Sequence, residues 1–178
     1  MISRKFFKKK LILTFFFMDC MNSFNAEIQE LIKKLEHYCA YQERCHEDVR
    51  QKMHQLNVPY RQRDELVVHL IENNYLNEER FAIAFARGKH RIKLWGKQRI
   101  SNELKLRNIS SRIINTAIKE LSDQEYYDNF TCLAEKIWQQ TTESNLLLKK
   151  KKCTEFLLRK GYETSLVYDK IHELESTL

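Results

Sequence analysis

An all-helical fold, built as three tandem three-helix repeat units in an elongated, curved array, is what this sequence predicts. Three observations predict it. Among 178 residues there are only three glycines and one proline, too few for the tight turns that a sandwich or barrel of short strands needs. The rest is rich in Leu, Ile, Lys, Glu, Arg and Gln, which helices tolerate well. A single pattern also recurs three times without gaps, over 49–70, 100–121 and 153–174, and a repeat of about 50 residues means stacked supersecondary units.

Within the repeat, Val49, Ile100 and Cys153 correspond, as do Met53, Leu104 and Leu157. These two positions are four apart, one turn along a helix face. Asn57, Asn108 and Gly161 follow, residues that can take a left-handed conformation and end a helix. Each is followed by an apolar neighbour, Val58, Ile109 or Tyr162, able to tuck back on the last turn. Val67, Ile118 and Ile171 then correspond, and after them Leu70, Leu121 and Leu174. Ser110 suits the cap of the helix it precedes, and Pro59 suits a helix start. Ile113, Ile114, Ala117, Ile118 and Leu121 form one apolar stripe at helical spacing.

A longer helix precedes each pair. Ile28, Leu31, Ile32 and Leu35 mark the first; Phe81, Phe85, Ile92 and Trp95 the second; Tyr126, Phe130, Leu133 and Ile137 the third. These aromatic stripes read as core rather than as a cofactor box. Ser122 with Glu125 makes a capping box ahead of the third. The helices are expected near 26–42, 45–57, 60–74, 78–94, 97–107, 110–121, 123–145, 149–160 and 164–175. The repeats are expected to span 26–75, 76–122 and 123–178, after a tail over 1–25.

That tail carries Arg4, Lys5 and Lys8 to Lys10 before an apolar run, Leu11 to Phe17. The order imitates a signal peptide, but the run is short and no A-x-A site follows. It is also too short to span a bilayer. Translation starting at Met18 or Met21 is the expected explanation, with residues 1–17 dispensable; a membrane-surface anchor and an atypical signal are the alternatives.

The five cysteines, Cys20, Cys39, Cys45, Cys132 and Cys153, are odd in number and irregularly spaced. They read as reduced thiols of a cytoplasmic protein. His37, Cys39, Cys45 and His46 lie close together but match no zinc spacing. The sequence holds no G-x-S-x-G, H-E-x-x-H, Walker loop or C-x-x-C. No catalytic residues, metal or cofactor are expected.

Net charge is +7, which favours a polyanionic partner. From Ala82 to Lys119 ten basic residues stand against one acid, Glu103, so this window alone carries +9. Arg87 and Arg91 are a turn apart, off the apolar face, with His90 beside them. Lys97, Lys105 and Arg112 also fall off the stripes, and Lys149 and Lys150 belong to a second cluster. These seven are the candidate binding residues; a merely solubilising surface is the bland alternative. A helix–turn–helix reading head is disfavoured, because the turn at Asn108 recurs in every unit.

Three blocks of the middle segment stand out together: Tyr75-Leu76-Asn77-Glu78-Glu79-Arg80-Phe81-Ala82, continued by Phe85, Arg87 and Lys89; Trp95-Gly96, Ile100, Glu103-Leu104, Arg107 and Ile109; and Ile113, Ala117 and Ile118. They are similar to the signature, the next block and the closing helix of one family, so the middle segment resembles the RecX family of RecA regulators. The resemblance implies three tandem three-helix units and a non-enzymatic, cofactor-free protein of DNA repair, recombination and the SOS response. It implies binding to RecA, above all to its filament on single-stranded DNA, with inhibition of recombinase, ATPase and co-protease activities. Direct DNA contact, a monomeric state and no membrane association are further expectations. A general nucleic-acid-binding helical protein and a helical scaffold without a RecA role are the rivals.

Overall fold

A computed structural model describes residues 26–176. The tail over 1–25, with its start-site and anchor readings and Cys20, lies outside the described residues, as do the last two positions. Among the described residues there are nine helices and no strands. They are α1 (26–41), α2 (His46–Gln55), α3 (Tyr60–Glu72), α4 (Glu78–Lys93), α5 (Lys97–Lys105), α6 (Ser111–Lys119), α7 (Asp123–Gln140), α8 (Leu146–Lys160) and α9 (Thr164–Ser176). The fold is three three-helix repeats, as the sequence predicts.

The repeat positions carry the same physics each time. Val49, Ile100, Cys153, Met53, Leu104 and Leu157 are all fully buried. Asn57, Asn108 and Gly161 all take positive φ, at 53°, 59° and 88°. In each repeat the next amide reaches back over the turn: Val58 N–H donates to Met53 O, Ile109 to Leu104 O and Tyr162 to Leu157 O. That closes a helix C-terminus and turns the chain into the next helix. Val67 and Ile118, expected as core, are only partly buried; Leu66 and Ala117, one position earlier, are the buried residues of that turn.

The chain divides into two compact bodies. One comprises residues 26–42 and 48–76, the other 43–47 and everything from Asn77 on. The first is organised around Leu35, Cys39, Val49, Met53, Val58, Leu66, Leu70 and Leu76, with Tyr75 packed against that core. Arg63 Nε donates to Val58 O, and Glu36 bonds His69 at 2.8 Å.

The second body holds two cores. Cys45, Phe81, Ala82, Ala86, Ile100, Leu104, Ile109, Ile114, Ala117 and Leu121 form the middle one. Tyr126, Phe130, Leu133, Ala134, Trp138, Cys153, Leu157, Tyr162, Val167 and Ile171 form the third. Cys39 and Cys45 therefore belong to different cores.

Side chains start the helices where backbone N–H groups lack partners. Asn77 accepts from Arg80 N–H, Ser110 from Ile113 N–H and Ser122 from Glu125 N–H. The expected capping box at Ser122 is only half made, because the Glu125 carboxylate goes to Arg91 instead. Two boundaries differ from expectation. α7 stops at Gln140 rather than 145, where Thr141 takes an extended conformation. α8 begins at Leu146 rather than 149, because Asn145 accepts from both Leu147 and Leu148 N–H.

Candidate functional site

The middle and third repeats meet backbone to backbone. Gly96 N–H donates to Lys160 O at 2.8 Å, and Gln98 N–H to Gly161 O at 3.1 Å. A Cβ on Gly96 would lie 2.2 Å from the Gly161 carbonyl oxygen, and one on Gly161 would lie 2.4 Å from Arg99. Two glycines are what this approach requires. The joint is reinforced by Tyr126, whose hydroxyl accepts from Lys97 N–H and donates to Glu163 at 2.6 Å. Burial, then that bond, pushes the Tyr126 phenol well above its ordinary range. Leu94 takes a left-handed φ of 51° at the end of α4 and packs on the third core. For leucine that conformation costs roughly 1–2 kcal/mol.

His90, expected on the basic face, is buried to 1% exposure. One ring nitrogen bonds Trp95 O at 3.0 Å, the other Asn129, and the ring stacks on Tyr126 at 5.1 Å. Ile92, expected in the core with Phe81 and Phe85, is 77% exposed. The buried stripe of α4 is Phe81, Ala82, Ala86 and His90. It drifts around the helix because the first half faces the middle core while His90 faces α7.

The expected basic face is largely neutralised. Arg87 pairs with Glu120 at 2.8 Å, Arg91 with Glu125 at 2.7 Å and Lys97 with Asp123 at 3.1 Å. The bond from Arg91 holds the Glu125 carboxyl below its usual range. These three cations, expected to be free to reach a partner, instead tie α4 and α5 to the α6–α7 junction. Reversing both Arg87 and Arg91 to Glu is expected to lower the melting temperature, and adding Glu120→Arg with Glu125→Arg to restore it. Thermal unfolding insensitive to all four changes would contradict the pairing.

Lys105 and Arg112 are exposed on α5 and α6, with no acidic partner among the described residues. Lys150 pairs with Glu175 at 2.7 Å, and Lys149 lies 4.7 Å from the Trp138 ring centre. Of the signature residues, Phe81, Ile100, Leu104 and Ile109 are buried in the middle core, with Phe85, Trp95 and Ile118 packed against it. Leu76 is buried in the first body. Gly96 lies in the joint, and Arg80 bonds Glu43 at 2.8 Å.

Trp95 is half-buried rather than enclosed. Arg99 lies 4.2 Å and Lys89 5.2 Å from its ring centre. Truncation to alanine is accordingly expected to cost about 2 kcal/mol, below the roughly 3–5 kcal/mol of a fully buried ring, and denaturant titration measures it.

A second group of cations gathers at the joint. Lys160 Nζ donates to Lys93 O at 2.9 Å, and Arg99 Nη1 to Arg159 O at 3.2 Å. Burial, and then Arg99, Lys93 and Arg159, push the Lys160 ammonium below its ordinary value. Arg159 and Lys160 lie outside the sequence window, and Lys93 and Arg99 were counted in it without being singled out. The one sequence signal for this place is glycine in the third repeat where the other two carry asparagine. Among the described residues no group of His, Cys, Asp and Glu is arranged to hold a metal, and no helix is long and apolar enough to cross a membrane.

This arrangement defines a class: a tandem three-helix repeat protein whose joined middle and third units concentrate positive charge at their junction. Residues 77–118 match the family described as RecX, second three-helix domain. The chain is 24% identical to the regulatory protein RecX of Bacillus cytotoxicus over 152 residues, and 25% identical to that of Bacillus thuringiensis. Each match covers 85% of this chain and 56% of the relative, so the chain spans a little over half the length of these relatives. The crystal structure of RecX from Lactobacillus salivarius superposes with a TM-score of 0.72 at 22% identity, covering 85% of this chain and 98% of that one. Another RecX crystal structure gives 0.74 at 19%, covering 83% and 72%. Residues 77–118 thus match the RecX second three-helix domain, and over most of its length the chain is similar to RecX proteins.

Proposed function

We propose that this protein binds RecA, in particular RecA assembled on single-stranded DNA in the cytoplasm, and restrains its recombinase, ATPase and co-protease activities. It acts as a regulatory binding protein rather than an enzyme. The observation that carries this reading is the middle repeat. Its match to the RecX second domain coincides with the stretch in which ten cations stand against one acid along the sequence, and which joins the third repeat through Gly96. A protein acting beside a DNA backbone needs such a field. Lys105 and Arg112 stand free to contribute, whereas Arg87, Arg91 and Lys97 must first part from their acids.

Co-sedimentation with RecA filaments on single-stranded DNA tests the reading. The protein is expected in the pellet with filaments, and in the supernatant when RecA is omitted at physiological salt. Failure to pellet with filaments that are intact by microscopy would overturn the proposal.

A further inference from the structure

We propose that Lys93, Arg99, Arg159 and Lys160 form a binding site for the phosphodiester backbone of a single nucleic-acid strand, assembled only where the middle and third repeats join. The identity of the anion rests on the filament reading above; the site itself rests on geometry. Two of the cations reach across the joint, each holding a carbonyl at the other repeat's helix end: Lys160 on Lys93 O, and Arg99 on Arg159 O. Each repeat alone therefore presents half of the cluster. Aromatic rings hold the cations in place. Arg99 lies 4.2 Å from the Trp95 ring centre, and Arg159 and Lys160 each 5.6 Å from that of Phe156. Such contacts fix a cation without neutralising it.

On the other face, Arg87 and Arg91 each meet a carboxylate. At the joint, four cations converge and none forms an ion pair among the described residues. Like charges held together store repulsion that an anion would relieve. Guanidinium groups present paired donors that match phosphate oxygens, and ammonium groups add point charges. Lys93 and Arg159 are exposed and stand nearest to solvent, while Arg99 and Lys160 form the partly covered floor.

The test is fluorescence anisotropy of the full chain on a labelled single-stranded oligonucleotide over a salt series. The variant is Lys93→Glu with Arg159→Glu, since neither side chain holds a hydrogen bond of the joint. Arg50→Glu with Arg61→Glu, both exposed on α2 and α3, makes the same charge change elsewhere. The joint variant is expected to weaken binding at least tenfold beyond the control. It is also expected to flatten the slope of log affinity against log salt by roughly 1.4, about 0.7 for each phosphate no longer neutralised. Circular dichroism should show both variants folded. Equal weakening in the two variants, or no binding of naked strand by the parent chain, would overturn the site. Binding of poly-glutamate in preference to the oligonucleotide would overturn it in favour of an acidic protein partner. Because no RecA is present, the result stands apart from the filament reading, which fails only if the parent chain ignores RecA filaments.

Discussion

Gly96→Ala is expected to destabilise the protein by about 3 kcal/mol, the upper part of the usual range for forcing atoms into a packed site. For a chain of this size that lowers the melting temperature by roughly 6–12 °C. The reason is local and specific. The new methyl would meet the Gly161 carbonyl oxygen at 2.2 Å. That oxygen accepts from Gln98 N–H, and the Gly96 N–H is itself committed to Lys160 O. Nothing at the contact is a flexible side-chain end, so the helix ends must separate and both bonds lengthen. Gly161→Ala meets two obstacles, a close approach to Arg99 and a φ of +88°. By contrast, Gly88→Ala meets nothing within 4 Å and removes a flexible residue from the interior of α4. It is expected to be stabilising by a few tenths to about 1 kcal/mol. Thermal and denaturant unfolding of the three variants gives the comparison, and equal behaviour of Gly88→Ala and Gly96→Ala would refute the close joint.

Tyr126→Ala is expected to cost more, roughly 3–5 kcal/mol. Its ring is 1% exposed and packs against His90 and Tyr162. Its hydroxyl links Lys97 N–H to Glu163. Tyr126→Phe separates the two contributions. It keeps most of the packing and leaves a donor and a carboxylate short of a partner, for about 1–2 kcal/mol. Tyr162→Phe is the control: its buried hydroxyl has no hydrogen-bond partner among the described residues, so its removal should be near neutral or slightly stabilising. Urea titrations read all three. A Tyr162→Phe cost equal to that of Tyr126→Phe would show that the hydroxyl bonds are not what distinguishes the two sites.

The repeat was legible in the sequence because its rules are local. One helical turn separates Ile100 from Leu104, and in each repeat an asparagine or glycine in the left-handed conformation ends the helix. The errors arose where two units meet. A helical wheel assumes a single neighbour, and α4 has two: the middle core takes Phe81 and Ala86, and α7 takes His90. Ile92 satisfied the wheel and faces solvent. The charge window misses these partners for a related reason. It ends at Lys119, and the acids that pair with Arg87, Arg91 and Lys97 begin at Glu120. Ion pairs spanning 26 to 34 residues are invisible to any count along the chain. Gly96 stands at the break between α4 and α5. That it faces Gly161 across a repeat boundary required the folded chain.

Regulation of RecA is tested most directly by the rate of ATP hydrolysis by RecA on single-stranded DNA as this protein is added. The rate is expected to fall in a dose-dependent way. The fall should be weaker for Lys93→Glu with Arg159→Glu than for Arg50→Glu with Arg61→Glu. A hydrolysis rate that stays constant while the protein is bound to the filaments would contradict a regulatory role.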